Sequence, residues 1–302
     1  MPIYNYGSIN IDHIYRVPHL VMPGETLASH AYHKVLGGKG ANQSIALARA
    51  GAAVRHIGRY HAADAAMLAP LSAAGVDVSG VAAVSEPTGH AIIQVDDKAE
   101  NAIVLYAGAN HSFTRDELPG LLADAAAGDW LLLQNECSCT ADMIRTAAAK
   151  GMQVAFNPAP MQADIAALPL AQLSVLFVNQ VEVMQLLAAD VGAALGHTWL
   201  AGQLQARYPD TQVVVTLGSQ GACSFYQGTV TYVPALPVQA VDTTGAGDTF
   251  IGYFMQAWMA GQPVQVALER ACKAAALCVQ RLGASSSIPT AVEVDTFGQR
   301  VG

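Results

Sequence analysis

Short apolar runs alternate with longer stretches of helical character along most of this chain, and that alternation restricts it to a layered α/β fold. Residues 54–57, 130–133, 152–156, 175–178 and 213–217 are apolar runs of the kind that a parallel sheet buries on both faces. Helical stretches separate or flank them at 42–50, 65–74, 115–127, 140–150 and 182–189, three of them stopped by Gly51, Gly75 and Gly151. Two long, largely apolar helices are expected at 245–260 and 264–282. Two segments, 13–36 and 88–106, break the rhythm: they are extended in pattern and carry turn residues at Pro18, Pro23-Gly24 and Asp96-Asp97. They read as one small sheet inserted at two points, a lid over the carboxyl ends of the strands, where open α/β sheets bind ligands. The expectation is a single domain over 1–302: a three-layer α/β/α body with a mostly parallel central sheet, plus a small β-sheet lid.

Bulk properties exclude several classes of function. A chain of 302 residues with 52% apolar and only 13% charged residues buries a large core and is not disordered. A formal charge of −8 and the lack of any basic run argue against nucleic acid as a partner. The five cysteines (137, 139, 223, 272 and 278) form no Cys-x-x-Cys pair, which fits reduced thiols in a cytoplasm. The opening residues carry no basic-then-apolar leader, and no uninterrupted apolar run reaches membrane-spanning length, so a cytoplasmic protein with no membrane partner is expected.

The chemistry concentrates in Val241-Asp242-Thr243-Thr244-Gly245-Ala246-Gly247-Asp248-Thr249-Phe250. Glycines around an alanine just before an apolar helix expose backbone N–H groups at its positive end, a ready anion site. Asp248 then sets a carboxylate beside that site, where like charges repel. The placement makes sense if its work is to take a proton from an attacking hydroxyl. The plainer alternative is a helix start with Thr244 as cap and Asp248 favoured in the first turn. Other motifs fail: Gly38-Lys39 is followed by Gly40, so there is no Walker-type loop, and Gly245-x-Gly247 lacks the third glycine of a dinucleotide fold. Thr216-Leu217-Gly218-Ser219-Gln220-Gly221 is not Gly-x-Ser-x-Gly, which excludes a hydrolase elbow, and the nine histidines show no zinc spacing.

Polar residues cluster where strands are expected to end. Gly7-Ser8-Ile9-Asn10-Ile11-Asp12 closes the first expected strand; Asn10 and Asp12 share a face and suit neighbouring hydroxyls of a polyol, or are simply solvated. In Gly37-Gly38-Lys39-Gly40-Ala41-Asn42, Gly38 permits close backbone approach while Lys39 and Asn42 add donors; the alternative is a flexible loop with Asn42 as cap. Glu136 follows a buried run and would lie at the ligand end of its strand, though most such glutamates are merely exposed. Asn179 and Glu182 suit a hydrated Mg²⁺ with phosphates, or equally a helix cap with its capping-box glutamate. Thr216, Gly218, Ser219 and Gly221 let a flat base or a phosphate approach the backbone.

Six stretches in order, over nearly the whole chain, resemble the landmarks of the ribokinase-like, or PfkB, family of carbohydrate kinases: Gly7-Ser8-Ile9-Asn10-x-Asp12, Pro23-Gly24-Glu25-Thr26, Gly37-Gly38-Lys39-Gly40-Ala41-Asn42-Gln43, Asn157-Pro158-Ala159-Pro160, Thr216-Leu217-Gly218-Ser219-x-Gly221 and Asp242 to Phe250. Within the family the likeness is to its ribose kinases, above all at Leu131-Leu132-Leu133-Gln134-x-Glu136 and Ala240-Val241-Asp242-Thr243. The resemblance implies ATP-dependent phosphorylation of a sugar's primary hydroxyl. It makes Asp248 the general base and the amides of Gly245, Ala246 and Gly247 the anion hole. Asn10, Asp12, Gly38, Lys39, Asn42 and Glu136 would hold ribose. Asn179, Thr216, Gly218, Ser219 and Gly221 would line the nucleotide side, with Glu182 reaching Mg²⁺ through water. A monovalent cation, K⁺ by analogy, would be held by Asp242, Thr244 and the loop containing Arg281, Gly283 and Ser287, largely through backbone oxygens. A homodimer joined through the lids is also implied.

The chain departs from the family in three places. After Ile57-Gly58 the usual Gly-Asp-Asp/Glu-x-x-Gly loop is replaced by Arg59-Tyr60-His61-Ala62-Ala63-Asp64-Ala65. Asn179-Gln180-Val181-Glu182 lacks the usual second acidic position, and Cys272 aligns where many relatives carry Asn near the adenine. The loop change leaves another acceptor open (deoxyribose, a ketohexose or a nucleoside), and a sugar or nucleotide sensor without turnover is the reading from another class.

Overall fold

Residues 130–134 show how the body is layered. In the computed structural model, which describes residues 1–98, 100–189 and 196–297, all five are buried, and successive side chains leave by opposite faces of the sheet. Trp130 and Leu132 enter one apolar core, Leu131 and Leu133 the other. The same division repeats in the next strands, with Ala155, Phe177 and Val214 on the first side and Val154, Phe156, Val178 and Val215 on the second. A sheet covered on both faces cannot alternate apolar with polar, which is why its strands read as unbroken apolar runs.

The strands are β1 (Ile3–Tyr6), β2 (Asn10–Arg16), β3 (Ala31–Gly37), β4 (Val54–His61), β5 (Asp77–Val84), β6 (Gly89–Val95), β7 (Asn101–Tyr106), β8 (Trp130–Gln134), β9 (Gln153–Asn157), β10 (Val175–Asn179), β11 (Gln212–Thr216), β12 (Ala222–Tyr226) and β13 (Thr229–Val233). The helices are α1 (Lys39–Ala50), α2 (Ala69–Ala73), α3 (Leu118–Leu121), α4 (Thr140–Ala149), α5 (Gln180–Leu186), α6 (His197–Arg207), α7 (Ala246–Met259), α8 (Val264–Cys278) and α9 (Ala291–Thr296). The main sheet runs β13-β12-β11-β10-β9-β8-β1-β4-β5 and is parallel except at β11–β12 and β12–β13. The expected α/β/α body is therefore present, and the extended segments form a separate four-stranded sheet ordered β3-β2-β6-β7. Residue 99, within the second of these segments, lies outside the described residues.

Several local expectations are corrected. Asn10 and Asp12 do not close the first strand: β1 ends at Tyr6, and both residues belong to β2, the strand that leads into the small sheet. The helix expected over 115–127 is interrupted, with a 3₁₀ turn at Arg115–Glu117 and only the short α3 after it. Pro119-Gly120 lies inside it, a proline without an amide donor followed by the least helix-prone ordinary residue. The stretch 65–74 divides into a 3₁₀ helix, Ala62–Leu68, and α2. The helix expected over 182–189 is α5, which starts two residues earlier at Gln180 and stops at Leu186. The five cysteines are all free thiols. Among the described residues no helix is long and apolar enough to cross a membrane.

Candidate active site

Helices α1 and α7 meet at the carboxyl ends of the central strands, and their first turns build the site. Gly245, at φ 77°, is the N-cap of α7, a left-handed conformation that admits glycine without strain. This turn aims the start of α7 at the cleft and leaves Asp248 buried one turn in. The Ala246 amide donates to Thr243 O at 3.2 Å, and the amides of Gly245 and Gly247 have no such partner among the described residues. Opposite, α1 begins at Lys39 with no side-chain cap of its own. Its start is held instead by Ser8, whose Oγ accepts from the Gly40 amide at 3.1 Å, and by Glu136, whose carboxylate accepts from the Lys39 amide at 3.0 Å and from the Ser8 hydroxyl. An anion at the positive end of a helix is favourable.

The Asp248 carboxylate accepts one hydrogen bond per oxygen, from Asn42 Nδ2 at 3.0 Å and from Gln43 Nε2 at 2.9 Å. Burial pushes its pKa up; the Lys39 ammonium and then the two amides pull it back, with burial winning. Lys39 shows the converse balance. Burial would lower it, but Asp248, Glu136, Glu182 and Asp12 surround it and the net shift is upward, so it stays charged. Burial raises Glu136 as well, against the pull of Lys39, Ser8 and the Lys39 amide. Asp12 is raised to about 6, by burial first and then by Glu136, with Lys39 opposing.

Two adjoining cavities open from this point and share Thr216, Thr243 and Gly247. The smaller, about 250 Å³, is lined by Lys39, Asn157, Asn179, Glu182 and Asp248. The larger, about 440 Å³, is lined by Gly218, Ser219 and Gly221, by the apolar loop Ala235, Leu236, Pro237 and Val238, and by Cys272, Ala275 and Ala276 of α8. Thr216, Gly218, Ser219 and Gly221 thus lie together as expected. Asn179 sits instead in the smaller cavity, beside Glu182, and its side chain caps α5 in a full capping box with Glu182. Of the two roles foreseen for this pair, the structure shows the helix cap. Burial raises Glu182, offset in part by the Asn179 amide and by Lys39.

The loops foreseen around a monovalent cation are also joined. Asp242 accepts from the Thr244 amide at 2.9 Å and hydroxyl at 2.7 Å, and from the Gly283 amide at 2.9 Å. Ser287 donates to Ala284 O at 2.7 Å, while the Arg281 guanidinium turns away to Glu293 at 2.6 Å. With these side chains engaged, the donors left for a cation there are backbone carbonyls. Among the described residues no three His, Cys, Asp or Glu side chains gather to hold a metal ion. Glu182 alone fits an ion brought in by nucleotide phosphates and reached through water.

At the start of β2, Asn10 Oδ1 accepts from Asn110 Nδ2 at 2.7 Å, and the Asp12 carboxyl lies over Gly37. Asn42 Oδ1 is buried with no hydrogen-bond partner, an acceptor of the kind a sugar hydroxyl would satisfy. Sequence reasoning gave no role to Gln43, Asn110, Ser8 or Asn157. The available signal was Asn42-Gln43-Ser44, three consecutive polar residues just inside a helix, which are buried together.

The comparisons agree with this architecture. The chain matches the pfkB family carbohydrate kinase description over residues 3–291. It is 36% identical to a ribokinase of Haemophilus influenzae, covering 96% of each chain. It is 28% identical to a deoxyribokinase of Salmonella typhi, covering 98% of each. The structure of Arabidopsis thaliana ribokinase complexed with ribose and ATP superposes with a TM-score of 0.87 at 29% identity, covering 98% of this chain and 97% of that one. With its sheet order, its separate lid sheet and a match spanning nearly its whole length, this chain belongs to the pfkB family of carbohydrate kinases.

Proposed function

We propose that this ATP-dependent carbohydrate kinase phosphorylates the primary hydroxyl of ribose, giving ribose 5-phosphate and ADP, with Asp248 as general base. One observation carries the reading. A buried carboxylate, fixed by two amide donors, stands at the junction between the cleft that suits a nucleotide and the polar groups of β2 and α1 that suit a polyol. Asp248 takes the hydroxyl proton as the oxygen attacks. The N-terminus of α7, through the Gly245, Ala246 and Gly247 amides, stabilises charge on the phosphoryl group in transfer. Asn10, Asp12, Gly38, Lys39, Asn42 and Glu136 hold the sugar, with Glu136 also anchoring α1. Thr216, Gly218, Ser219 and Gly221 receive the nucleotide, and Asn179 and Glu182 face its phosphates. Mg²⁺ would neutralise phosphate charge near Glu182. K⁺ would sit among backbone oxygens of the Asp242–Thr244 and Arg281–Ser287 segments. The lid would occupy about 13–36 and 88–106 of a single 1–302 domain and would join two copies.

Deoxyribose is the second acceptor to weigh, because a deoxyribokinase is among the full-length relatives. The atypical 59–65 loop lends it little: Arg59 turns to Glu117 at 2.6 Å and to the Phe113 ring at 4.8 Å, and Asp64 turns to Lys34 and Thr88. ADP release with Mg-ATP and K⁺, measured on ribose, deoxyribose, fructose, tagatose and adenosine, is expected to be led by ribose. Leadership by any other sugar or by adenosine overturns the choice of substrate. Asp248→Asn is expected to bind sugar and ATP while turnover falls at least ~100-fold, and near-normal turnover would remove Asp248 as the base.

A further inference from the structure

Behind Asp248 lies a chain of buried carboxamides that the reaction itself does not use. Asn5 Nδ2 donates to Gly40 O at 2.8 Å and to Ser44 Oγ at 2.8 Å. Asn5 Oδ1 accepts from Gln134 Nε2 at 3.0 Å, and the same Gln134 amide donates to Gln43 Oε1 at 2.7 Å. Gln43 Nε2 then donates to Asp248 Oδ1 at 2.9 Å and to Asn157 Oδ1 at 3.3 Å, and Asn157 Nδ2 donates to Phe177 O at 3.2 Å. Both ends of the chain finish on backbone carbonyls, which only accept. That condition settles the orientation of every amide between them, because a flipped amide would set oxygen against oxygen. Ser44 Oγ also pairs with Nδ1 of His56, which is fully buried and held near pKa 4 by desolvation. At neutral pH the chain is therefore uncharged throughout and presents its last N–H to Asp248.

We propose that Gln43 is a positioning residue for the base: oriented by Gln134 and Asn5, it holds the Asp248 carboxylate in one rotamer with Oδ1 turned to the amide chain, so that Oδ2, which also accepts from Asn42, is the oxygen whose remaining lone pair meets the acceptor hydroxyl. The fixed N–H offsets part of the upward push that burial gives the Asp248 pKa and keeps the carboxylate from swinging, so the geometry of attack is set before the sugar arrives. Carboxamides do not release protons at accessible pH, so the proton that Asp248 gains leaves toward the cleft and not into the core. The inference rests on Asp248 being the base.

The test is a pH–rate profile of Gln43→Glu and Gln43→Leu beside the wild type, with thermal melting to confirm folding. Gln43→Glu sets a second carboxylate against Asp248. The acid limb of kcat is expected to move up by about one pH unit or more, and kcat at neutral pH to fall about 10- to 100-fold, with KM for sugar and for ATP within a few-fold. Gln43→Leu removes the donor and is expected to move the limb in the same direction by less. Gln134→Leu, which frees Gln43 to flip, is the second variant should a Gln43 variant fail to fold; the same upward shift is expected. The other charged groups facing the site (Lys39 on α1, Asp12 on β2, Glu136 after β8 and Glu182 on α5) are unchanged in every variant, so the shift is read against one background. A folded Gln43→Glu or Gln134→Leu enzyme with an unmoved acid limb and undiminished kcat overturns the positioning role. Asp248→Asn is measured alongside: if it turns over normally, the assignment of the base fails, whereas if it is inactive and the Gln43 profiles are unmoved, only the present inference fails.

Discussion

Two carboxylates a short distance from Lys39 are treated differently by their surroundings. Asp248 has an amide donor on each oxygen, whereas Asp12 has burial and the like charge of Glu136 against it and only Lys39 in its favour, which carries it up to about 6. For an acid, a folded-state pKa above the unfolded value means that the folded protein holds the proton more tightly. Stability contributed by the protonated form is then present at low pH and is lost as pH rises through about 6. Asp12→Asn removes that loss. Its melting temperature is expected to exceed the wild type's at pH 8 and to match it near pH 4, while KM for the sugar rises. Thermal scans at the two pH values check the sign, and an equal change at both would mean that ionisation of Asp12 is not the cause. The buried triplet Asn42-Gln43-Ser44 belongs to the same scale: its polarity was visible in the chain, but the partners of Asn42 and Gln43 lie about a hundred or two hundred residues away.

Between elements, the decisive contact is the crossing of α1 and α7. A Cβ built on Gly252 would meet Ala46 Cβ at 2.4 Å and the backbone of Ala46 and Leu47 at 2.8 Å. One turn earlier on each helix are Asp248 and Asn42-Gln43, so the close crossing is what brings the amides to the carboxylate. Gly252→Val forces the helices apart. A loss of about 1–3 kcal/mol is expected in urea unfolding, together with a fall in kcat larger than the change in either KM. A variant that is destabilised with kcat intact would show that the site tolerates the displacement. Apolar burial holds the pair together: Phe250, Tyr253, Phe254 and Met255 are all nearly inaccessible, each worth about 1.5–3 kcal/mol on transfer from water. Elements with a strong period or a glycine stop, such as α1, α4 and α7, were legible in advance. Strands β5, β12 and β13 and helix α6 were not singled out. The first contains Gly80 and is only partly buried, the next two form an antiparallel hairpin of which β13 is the sheet edge and β12 its neighbour, and the last has a mixed face.

At the scale of the whole molecule, the lid leaves an edge with no partner strand among the described residues. Strand β7 ends the order β3-β2-β6-β7, and every residue of it is exposed, including Ile103 at 52%, Val104 at 67% and Leu105 at 58%. An apolar, unpaired edge favours pairing with a second copy. Sedimentation of the purified chain is expected to give a dimer, and Val104→Lys a monomer with the same melting profile in its body. A wild-type chain that sediments as a monomer at micromolar concentration would refute the pairing. The lid is tied to the body at its root, where Asp64 accepts from Lys34 at 2.9 Å on β3 and from Thr88 at 2.8 Å just before β6. Within the 59–65 loop, which departs from the family pattern, Asp64 thus ties the lid to the body.

What the chain determined by itself was local and periodic. Apolar runs buried on both faces announced a parallel sheet, glycine stops bounded helices, and a glycine turn before an apolar run marked the start of α7 with a carboxylate in its first turn. Those signals depend on a few neighbouring residues and on the geometry of strand and helix. The tertiary structure decided what depends on distant partners. It moved Asn10 and Asp12 from a body strand to a lid strand, and it gave Glu136 the start of α1 to hold. It also placed Gln43 between Asp248 and a chain of amides drawn from Asn5, Gln134 and Asn157. Hydrogen bonds and charge shifts of this kind are set by distance in space, and distance in space is not written in the order of residues until the two cores have packed.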